Sequence, residues 1–207
     1  MNIIKPYTQI FHEAEGQQIL KKIELIGRTC YKSEGRIAEG SAEKFVANLI
    51  KRGHEAVLEH ASITVKFVVD RGVSHEIVRH RLASYCQEST RYCNYAKDDF
   101  GSEITVIEPF YLEKGTDAWE CWKDSCEEAE NEYFSLLKWG CTAQEARAVL
   151  PNSLKTELVM TANLREWRTF FKLRTAPSAH PQMLEVTRPL LDELKQLIPV
   201  VFDDIEY

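Results

Sequence analysis

The sequence predicts an α+β fold: a small, mostly antiparallel sheet packed with long helices in a single domain. Three observations lead there. Apolar and polar residues alternate over 62–69, and short apolar runs at 103–108 and 155–162 add further strands. Apolar residues recur at three- and four-residue spacing elsewhere, most extensively from Asp117 to Trp139. The chain has 207 residues, 44% hydrophobic and 28% charged, with no repeat, low-complexity tract or linker to divide it. A domain of that size buries roughly 70% of its unfolded surface and needs no staples.

In chain order, residues 2–10 alternate weakly and form a first strand. Ile19, Leu20, Ile23 and Ile26 place a helix over Gly16 to Cys30, and Ser33-Glu34-Gly35-Arg36 is a loop. Ser41 is placed to cap a second helix with Phe45, Val46, Leu49 and Ile50 on its apolar face and Gly53 past its end. Next comes Gly53-His54-Glu55-Ala56-Val57-Leu58-Glu59-His60. Its two histidines are six apart, which does not put them on one helical face, so the segment makes a poor metal site.

Ser62 to Val69 is a half-buried strand, with Ile63, Val65, Phe67 and Val69 inward. Arg71-Gly72 turns the chain, and Ser74 caps a helix that runs into the stretch Arg79 to Tyr92, with Glu76 and Arg79 on one face. The second half of that stretch, Cys86 to Arg91, reads as an irregular loop. The long acidic helix from Asp117 carries Trp119, Trp122, Cys126, Ala129, Tyr133 and Leu136 along a packing side, and Gly140 ends it. Thr142 to Glu145 has the capping-box pattern and opens the helix bearing Arg147. Lys155 to Ala162 is a strand. Asn163, with Glu166 three residues on, caps a helix over Leu164 to Arg174. His180-Pro181 opens the last long helix, where Pro189 threatens a kink.

The net charge of −6 argues against a general nucleic-acid binder. Six cysteines at irregular spacings form no C-x-x-C pair, and no histidine lies at zinc-finger distance, so no metal is expected. Met1-Asn-Ile-Ile-Lys-Pro lacks a signal-peptide core and no 18-residue apolar run offers a membrane span. A cytoplasmic protein with reduced thiols and no membrane partner is the expectation.

Against that acidic background, Arg79 to Tyr92 packs three arginines, a histidine, two serines and two tyrosines into fourteen residues. Arginine presents five donors in a planar fork that matches phosphate oxygens. The cluster is therefore either a site for a phosphorylated small molecule or a solvated basic face. Tyr85, Tyr92 and Tyr95 beside the arginines leave single-strand stacking as a third reading, which the acidic total disfavours.

Two blocks decide among these. Arg79-His80-Arg81, seven residues, Ser89, then Arg91-Tyr92 resembles the signature of the flavin-dependent thymidylate synthases. Arg147, Leu150-Pro151, Asn163-Leu164-Arg165, Phe170-Phe171-Lys172-Leu173-Arg174 and His180 resemble the second ordered block of the same family. The resemblance spans residues ~30–190. It implies methylation of dUMP at uracil C5 to dTMP by a methyltransferase. FAD is the cofactor, methylenetetrahydrofolate the carbon donor and NADPH the reductant, in a homotetramer with sites shared between subunits. It places Ala56, Arg79, His80, Arg81, Gln87, Asn163, Leu164, Arg165 and Thr169 at flavin positions. It places Glu76, Ile77, Val78, Arg79, Gln87, Glu88, Ser89, Thr90, Arg91, Arg147 and Arg174 at dUMP positions, with Arg91 and Arg147 on the phosphate. Arg174 matches the residue that activates the uracil, and Ser89 the signature serine, with a positioning role. The Gly53 to His60 segment resembles one bordering the flavin, with a structural capping role the alternative. Where many members read Ser-Tyr-Asn-Glu this chain has Ser84-Tyr85-Cys86-Gln87, and Thr169 stands where some carry a longer side chain. A catalytically idle nucleotide-binding regulator would share all these motifs.

Overall fold

The structure, a computed structural model, describes residues 1–11, 15–97 and 101–207. Its elements, in chain order, begin with strands β1 (Asn2–Ile4) and β2 (Tyr7–Phe11), then helices α1 (Gly16–Thr29) and α2 (Ser41–Lys51). Strand β3 (Ser62–Asp70), helix α3 (Arg71–Ile77) and strands β4 (Ala83–Gln87) and β5 (Thr105–Ile107) follow. Helix α4 (Asp117–Lys138), the short α5 (Ala143–Ala146), strand β6 (Lys155–Asn163) and helices α6 (Leu164–Arg174), α7 (Pro181–Leu197) and α8 (Pro199–Phe202) complete the chain. The class is α+β, with a four-stranded antiparallel sheet ordered β2-β3-β6-β4.

Residues 2–10 are not one strand. Pro6, which has no N–H for a ladder, separates β1 from β2. β1 instead pairs in parallel with β5 in a second, two-stranded sheet, Asn2 opposite Thr105.

Contacts gather the described chain into two compact units of discontinuous sequence. Unit one holds Met1–Tyr7, Phe67–Arg79 and Cys86–Val159; unit two holds Thr8–Lys66, His80–Tyr85 and Met160–Tyr207. The core of unit one is built on α4, whose Cys126 and Tyr133 are buried with Tyr95, Ile104, Val106, Ala146 and Leu154. The aromatic side of α4 is thus a packing surface, and Trp122 fixes it further by donating from Nε1 to Ser153 Oγ at 2.9 Å. In unit two α6 is the central helix. Trp167, Phe170 and Phe171 are fully buried, with Trp167 and Phe171 stacked at 5.6 Å and Phe171 against Phe202 at 5.9 Å. Each such ring removes roughly 150–250 Å² from water, about 4–6 kcal/mol of gross burial at ~25 cal/mol/Å². Trp167 Nε1 also donates to the Ile63 carbonyl at 3.0 Å, so the helix is tied to β3 by a bond as well as by packing.

Local chemistry sets most helix ends. Asn163 Oδ1 accepts from the Glu166 N–H at 2.9 Å, and Thr116 Oγ1 from the Trp119 N–H at 3.3 Å. Glu145 takes the Thr142 N–H at 2.8 Å, completing the capping box. Gly140 ends the α4 turn at φ 94°, a conformation that side-chain-bearing residues rarely adopt. Ser41 is the first residue of α2, not its cap, and Ser33 to Arg36 contains a 3-10 turn, Glu34–Arg36. α7 runs through Pro189 from a start capped by His180.

The signature stretch differs from the expectation. Asp70, not Ser74, caps α3, its Oδ1 accepting from the Val73 N–H at 2.8 Å. The helix stops at Ile77, and Ala83 to Gln87 is a strand of the main sheet. The helical spacing of Glu76, Arg79 and Leu82 lost to sheet pairing with β6, a partner that lies far along the chain.

Candidate functional site

The named residues gather into two clusters, one in each unit. In unit two the focus is His80, 6% exposed. Its Nδ1 lies 3.1 Å from Glu166 Oε1, and its Nε2 lies 3.1 Å from Arg174 Nε. The Arg174 Nε–H only donates, so Nε2 accepts; Nδ1 therefore carries the proton and donates to the carboxylate. His80 is neutral. Burial pushes its pKa below the ordinary histidine value and the Arg174 charge adds to that, outweighing the pull of Glu166.

The surroundings lock this relay. Phe170 meets the imidazole edge-on at 4.9 Å, and Tyr85 Oη donates to the His80 carbonyl at 2.6 Å. Burial, then the Glu166 charge, pushes the Tyr85 hydroxyl up to about 12, so it remains a donor at neutral pH. Glu166, Phe170 and Arg174 share a face of α6 at four-residue spacing. At the end of that helix Thr187 Oγ1 is 2.9 Å from the Arg174 carbonyl, and Arg188 donates to the Thr175 carbonyl from Nε and Nη2 at 3.3 Å. The base of Arg174 is fixed at both its backbone and its guanidinium.

The other flavin positions of unit two lie on α6 or its cap, on the 3-10 turn Glu55–His60, and directly after His80. Arg81, Ala56 and Arg165 are exposed, and Arg165 Nη1 pairs with Glu59 at 2.6 Å. Exposed Thr169 donates to the Arg165 carbonyl at 3.2 Å. The Leu164 side chain is fully buried, and its N–H donates to the Ala61 carbonyl at 2.9 Å. His54 Nδ1 is 3.2 Å from Tyr31 Oη, and Glu55 bonds the buried Arg168 at 3.3 Å. Among the described residues no group of three or more His, Cys, Asp or Glu side chains could hold a metal ion. No helix among them is long and apolar enough to cross a membrane.

In unit one the cluster is built on residues 74–79, 87–91, 147 and 155–157. Gln87 Nε2 lies 3.0 Å from Ser74 Oγ and 3.3 Å from Thr156 Oγ1, which anchors the end of β4. Glu88 is the hub of the following loop. It takes Lys155 Nζ at 2.9 Å, Tyr95 Oη at 3.3 Å and the Glu157 N–H at 3.2 Å. Burial alone would depress the Lys155 ammonium, but Glu88 and then Glu157 hold it above its usual value. Ser89 Oγ accepts from the Arg91 N–H at 3.3 Å and its carbonyl from the Tyr92 and Cys93 N–H groups, the geometry of a turn. Arg91 is exposed over the Tyr92 ring at 5.5 Å. Exposed Arg147 donates from Nη1 to buried Thr90 Oγ1 at 3.3 Å. Ile77 is fully buried, Glu76 and Val78 are half-buried, and Arg79 is exposed just past α3.

Three participants had no role in the sequence reading of the site. In the sequence Glu166 reads as a cap partner, Tyr85 as a stacking ring within the Ser84–Gln87 run, and Lys155 as a strand residue. Glu166 and Lys155 act through contacts with residues distant in sequence, whereas Tyr85 reaches a carbonyl only five residues back.

The donor set suits a phosphorylated cofactor and a phosphorylated substrate. Arg79 and Arg81 are exposed forks, and the Arg165–Glu59 pair, half exposed on both sides, costs only about 0–1 kcal/mol to open. Residues 14–200 match the family described as thymidylate synthase complementing protein. The flavin-dependent thymidylate synthase of Pyrococcus furiosus is 36% identical over 160 residues, which span 77% of this chain and 65% of that protein. That of Geobacter sulfurreducens is 33% identical over 189 residues, 88% of this chain and 80% of that protein. That of Corynebacterium efficiens is 32% identical over 208 residues, 94% and 82% of the respective chains. The crystal structure of a UMP/dUMP methylase, PolB from Streptomyces cacaoi bound with 5-Br dUMP, matches with a TM-score of 0.78. Its identity is 22%, over 98% of this chain and 96% of that one, a likeness of fold.

Proposed function

The chain belongs to the flavin-dependent thymidylate synthase family, and from that membership we propose that it methylates dUMP at uracil C5 to give dTMP. Methylenetetrahydrofolate is the carbon donor, FAD the cofactor and NADPH the reductant. The observation that carries this reading is the Glu166–His80–Arg174 relay, which fixes a cation on residues standing in the family's order.

Arg91 and Arg147 hold the dUMP phosphate, which carries about two negative charges. Each charge-assisted bond contributes roughly 1.5–3 kcal/mol. Thr90 steadies Arg147, and the Glu88–Lys155 pair keeps the loop that bears Ser89 and Arg91 in place. Arg174, its Nε–H committed to His80, presents a fixed positive charge where negative charge develops on the uracil. Arg79, Arg81, Asn163, Arg165 and Thr169 hold the flavin. His80 spends both ring nitrogens within the protein and acts through Arg174. When bound, the reduced flavin supplies the hydride that turns the transferred methylene into a methyl group. No protein nucleophile is required, and Ser89 serves as a turn residue that aims Arg91.

The purified chain mixed with FAD absorbs visible light on this reading, and dUMP accelerates its oxidation of NADPH. A colourless protein at saturating FAD, with NADPH oxidation indifferent to dUMP, would overturn it. The homotetramer with shared sites has its own test. Arg91→Ala and Arg147→Ala chains, unfolded together and refolded, regain intact sites if the two arginines reach one dUMP from different subunits. For random pairing in a two-fold arrangement about a quarter of sites recover. A mixture as inactive as its parents means both arginines serve from one chain.

A further inference from the structure

Unit two carries a cavity of about 480 Å³ that the chemistry above leaves unused. It lies among the last turn of α1, the loop after it and α2, and its volume is that of a small-molecule site. Arg28, Lys32, Arg36 and Arg52 line it with Tyr31 and Phe45, and none of its lining residues is acidic. In a chain of net charge −6, such a convergence of cations is local.

Arg28 belongs to the wall. Buried Glu24 takes its Nε at 2.8 Å and its Nη2 at 2.6 Å, and its guanidinium covers the Phe45 ring at 4.6 Å. Lys32, Arg36 and Arg52 differ: all three are exposed, and among the described residues their side chains make no hydrogen bond or ion pair. Three unpaired like charges facing one hollow repel one another unless an anion joins them. Lys32 is also held at φ 48°, a left-handed conformation that a non-glycine residue adopts at a strain, and such strain concentrates at ligand clamps. Tyr31 connects this wall to the Gly53–His60 segment through its hydroxyl on His54 Nδ1 at 3.2 Å.

We propose that this cavity receives the polyanionic arm of an organic co-substrate. The shared chemistry is several phosphate or carboxylate groups on one ligand, set against Lys32, Arg36 and Arg52 beside the Arg28–Phe45 wall. Two co-substrates of the proposed reaction offer such an arm: the phosphates of NADPH and the glutamate tail of the folate. The identity of the ligand rests on the proposed function; the anion site itself does not.

The test is calorimetric titration of the FAD-loaded chain with 2′,5′-ADP and, separately, with folate triglutamate. The wild type and a Lys32→Gln/Arg36→Gln/Arg52→Gln variant are compared, with thermal melts to check folding and the single Arg52→Gln chain as reserve. The wild type binds at least one probe, more weakly as salt rises, and the triple variant binds it about tenfold or more weakly. The KM for the matching co-substrate rises by a similar factor while that for dUMP does not move. Binding of 2′,5′-ADP assigns the cavity to the reductant, and binding of the triglutamate assigns it to the carbon donor. A wild type that binds neither probe, or a folded variant that binds as tightly as wild type, overturns the proposal. Failure of the enzymatic reading is distinct: dUMP-dependent NADPH oxidation would be missing while charge-dependent anion binding persisted.

Discussion

Replacing Glu166 by glutamine keeps the shape of the side chain and removes its charge. In the native relay the carboxylate sits 3.1 Å from His80 Nδ1, and Arg174 Nε sits 3.1 Å from His80 Nε2. A carboxylate can only accept, so it forces the proton onto Nδ1 and leaves Nε2 open to Arg174. An amide can also donate. When it does, the imidazole proton moves to Nε2 and two N–H groups confront each other. A hydrogen bond to a charged group contributes ~1.5–3 kcal/mol and a neutral one ~0.5–1.5, so the bias toward the native tautomer falls by about 1–1.5 kcal/mol, roughly tenfold in the tautomer ratio. The expected result for Glu166→Gln is a kcat for dTMP formation that falls, by at most about tenfold, with the KM for dUMP nearly unchanged because Arg91 and Arg147 still hold the phosphate. Imidazole nitrogen NMR reads the tautomer directly: Nδ1–H alone in the wild type, a mixture in the variant. A folded, flavin-loaded Glu166→Gln chain that keeps both the wild-type kcat and the single tautomer would refute the reasoning.

Three further outcomes follow from the same geometry. His80 resists protonation in the folded chain, whereas in the unfolded chain it binds a proton near its ordinary value of about 6.5; the unfolded state therefore gains protons first, and stability is lost as pH falls through that value. Melting temperatures from about pH 7 to pH 5 should fall less steeply in His80→Gln than in wild type, and equal slopes would count against a depressed His80. Arg91→Ala and Arg147→Ala each raise the KM for dUMP roughly ten- to a hundredfold, the worth of one charge-assisted contact, while Arg174→Ala lowers kcat; steady-state kinetics showing the reverse pattern would undo the assignment. Cys86, exposed on β4, is dispensable: Cys86→Ser and Cys86→Ala keep most dTMP formation, and a loss of ~10³-fold in both, with folding intact, would indicate covalent catalysis.

What could be read from the sequence was what local chemistry decides. Asn163 with Glu166 three residues on marks the start of α6, because a cap acts within one turn. The capping box at Thr142 and the glycine after α4 worked for the same reason. The signature stretch went wrong where a distant partner decided: β4 joins the sheet beside β6, and Gln87 anchors on Thr156, 69 residues away. The relay was hidden likewise, since 86 residues separate His80 from Glu166 and 94 separate it from Arg174. Residue types marked the arginines and the histidine as candidates. Only the fold shows that a carboxylate stands behind the histidine.

The join of β6 to α6 has no linker: Asn163 is both the last residue of the strand and the cap of the helix. From that fixed origin, Glu166 and Arg174 stand eight residues apart, about 12 Å of helix rise, and one imidazole touches both. The helix acts as a ruler. One residue inserted or deleted between them turns everything beyond it by ~100° and carries Arg174 off the face that His80 reads. Such a length change placed after Trp167 would leave both the cap and the burial of Trp167 intact. Substitutions at the outward Lys172 are cheap, but the count of residues from Asn163 to Arg174 is not free to drift, and evolution of this segment must proceed by exchange rather than by insertion or deletion.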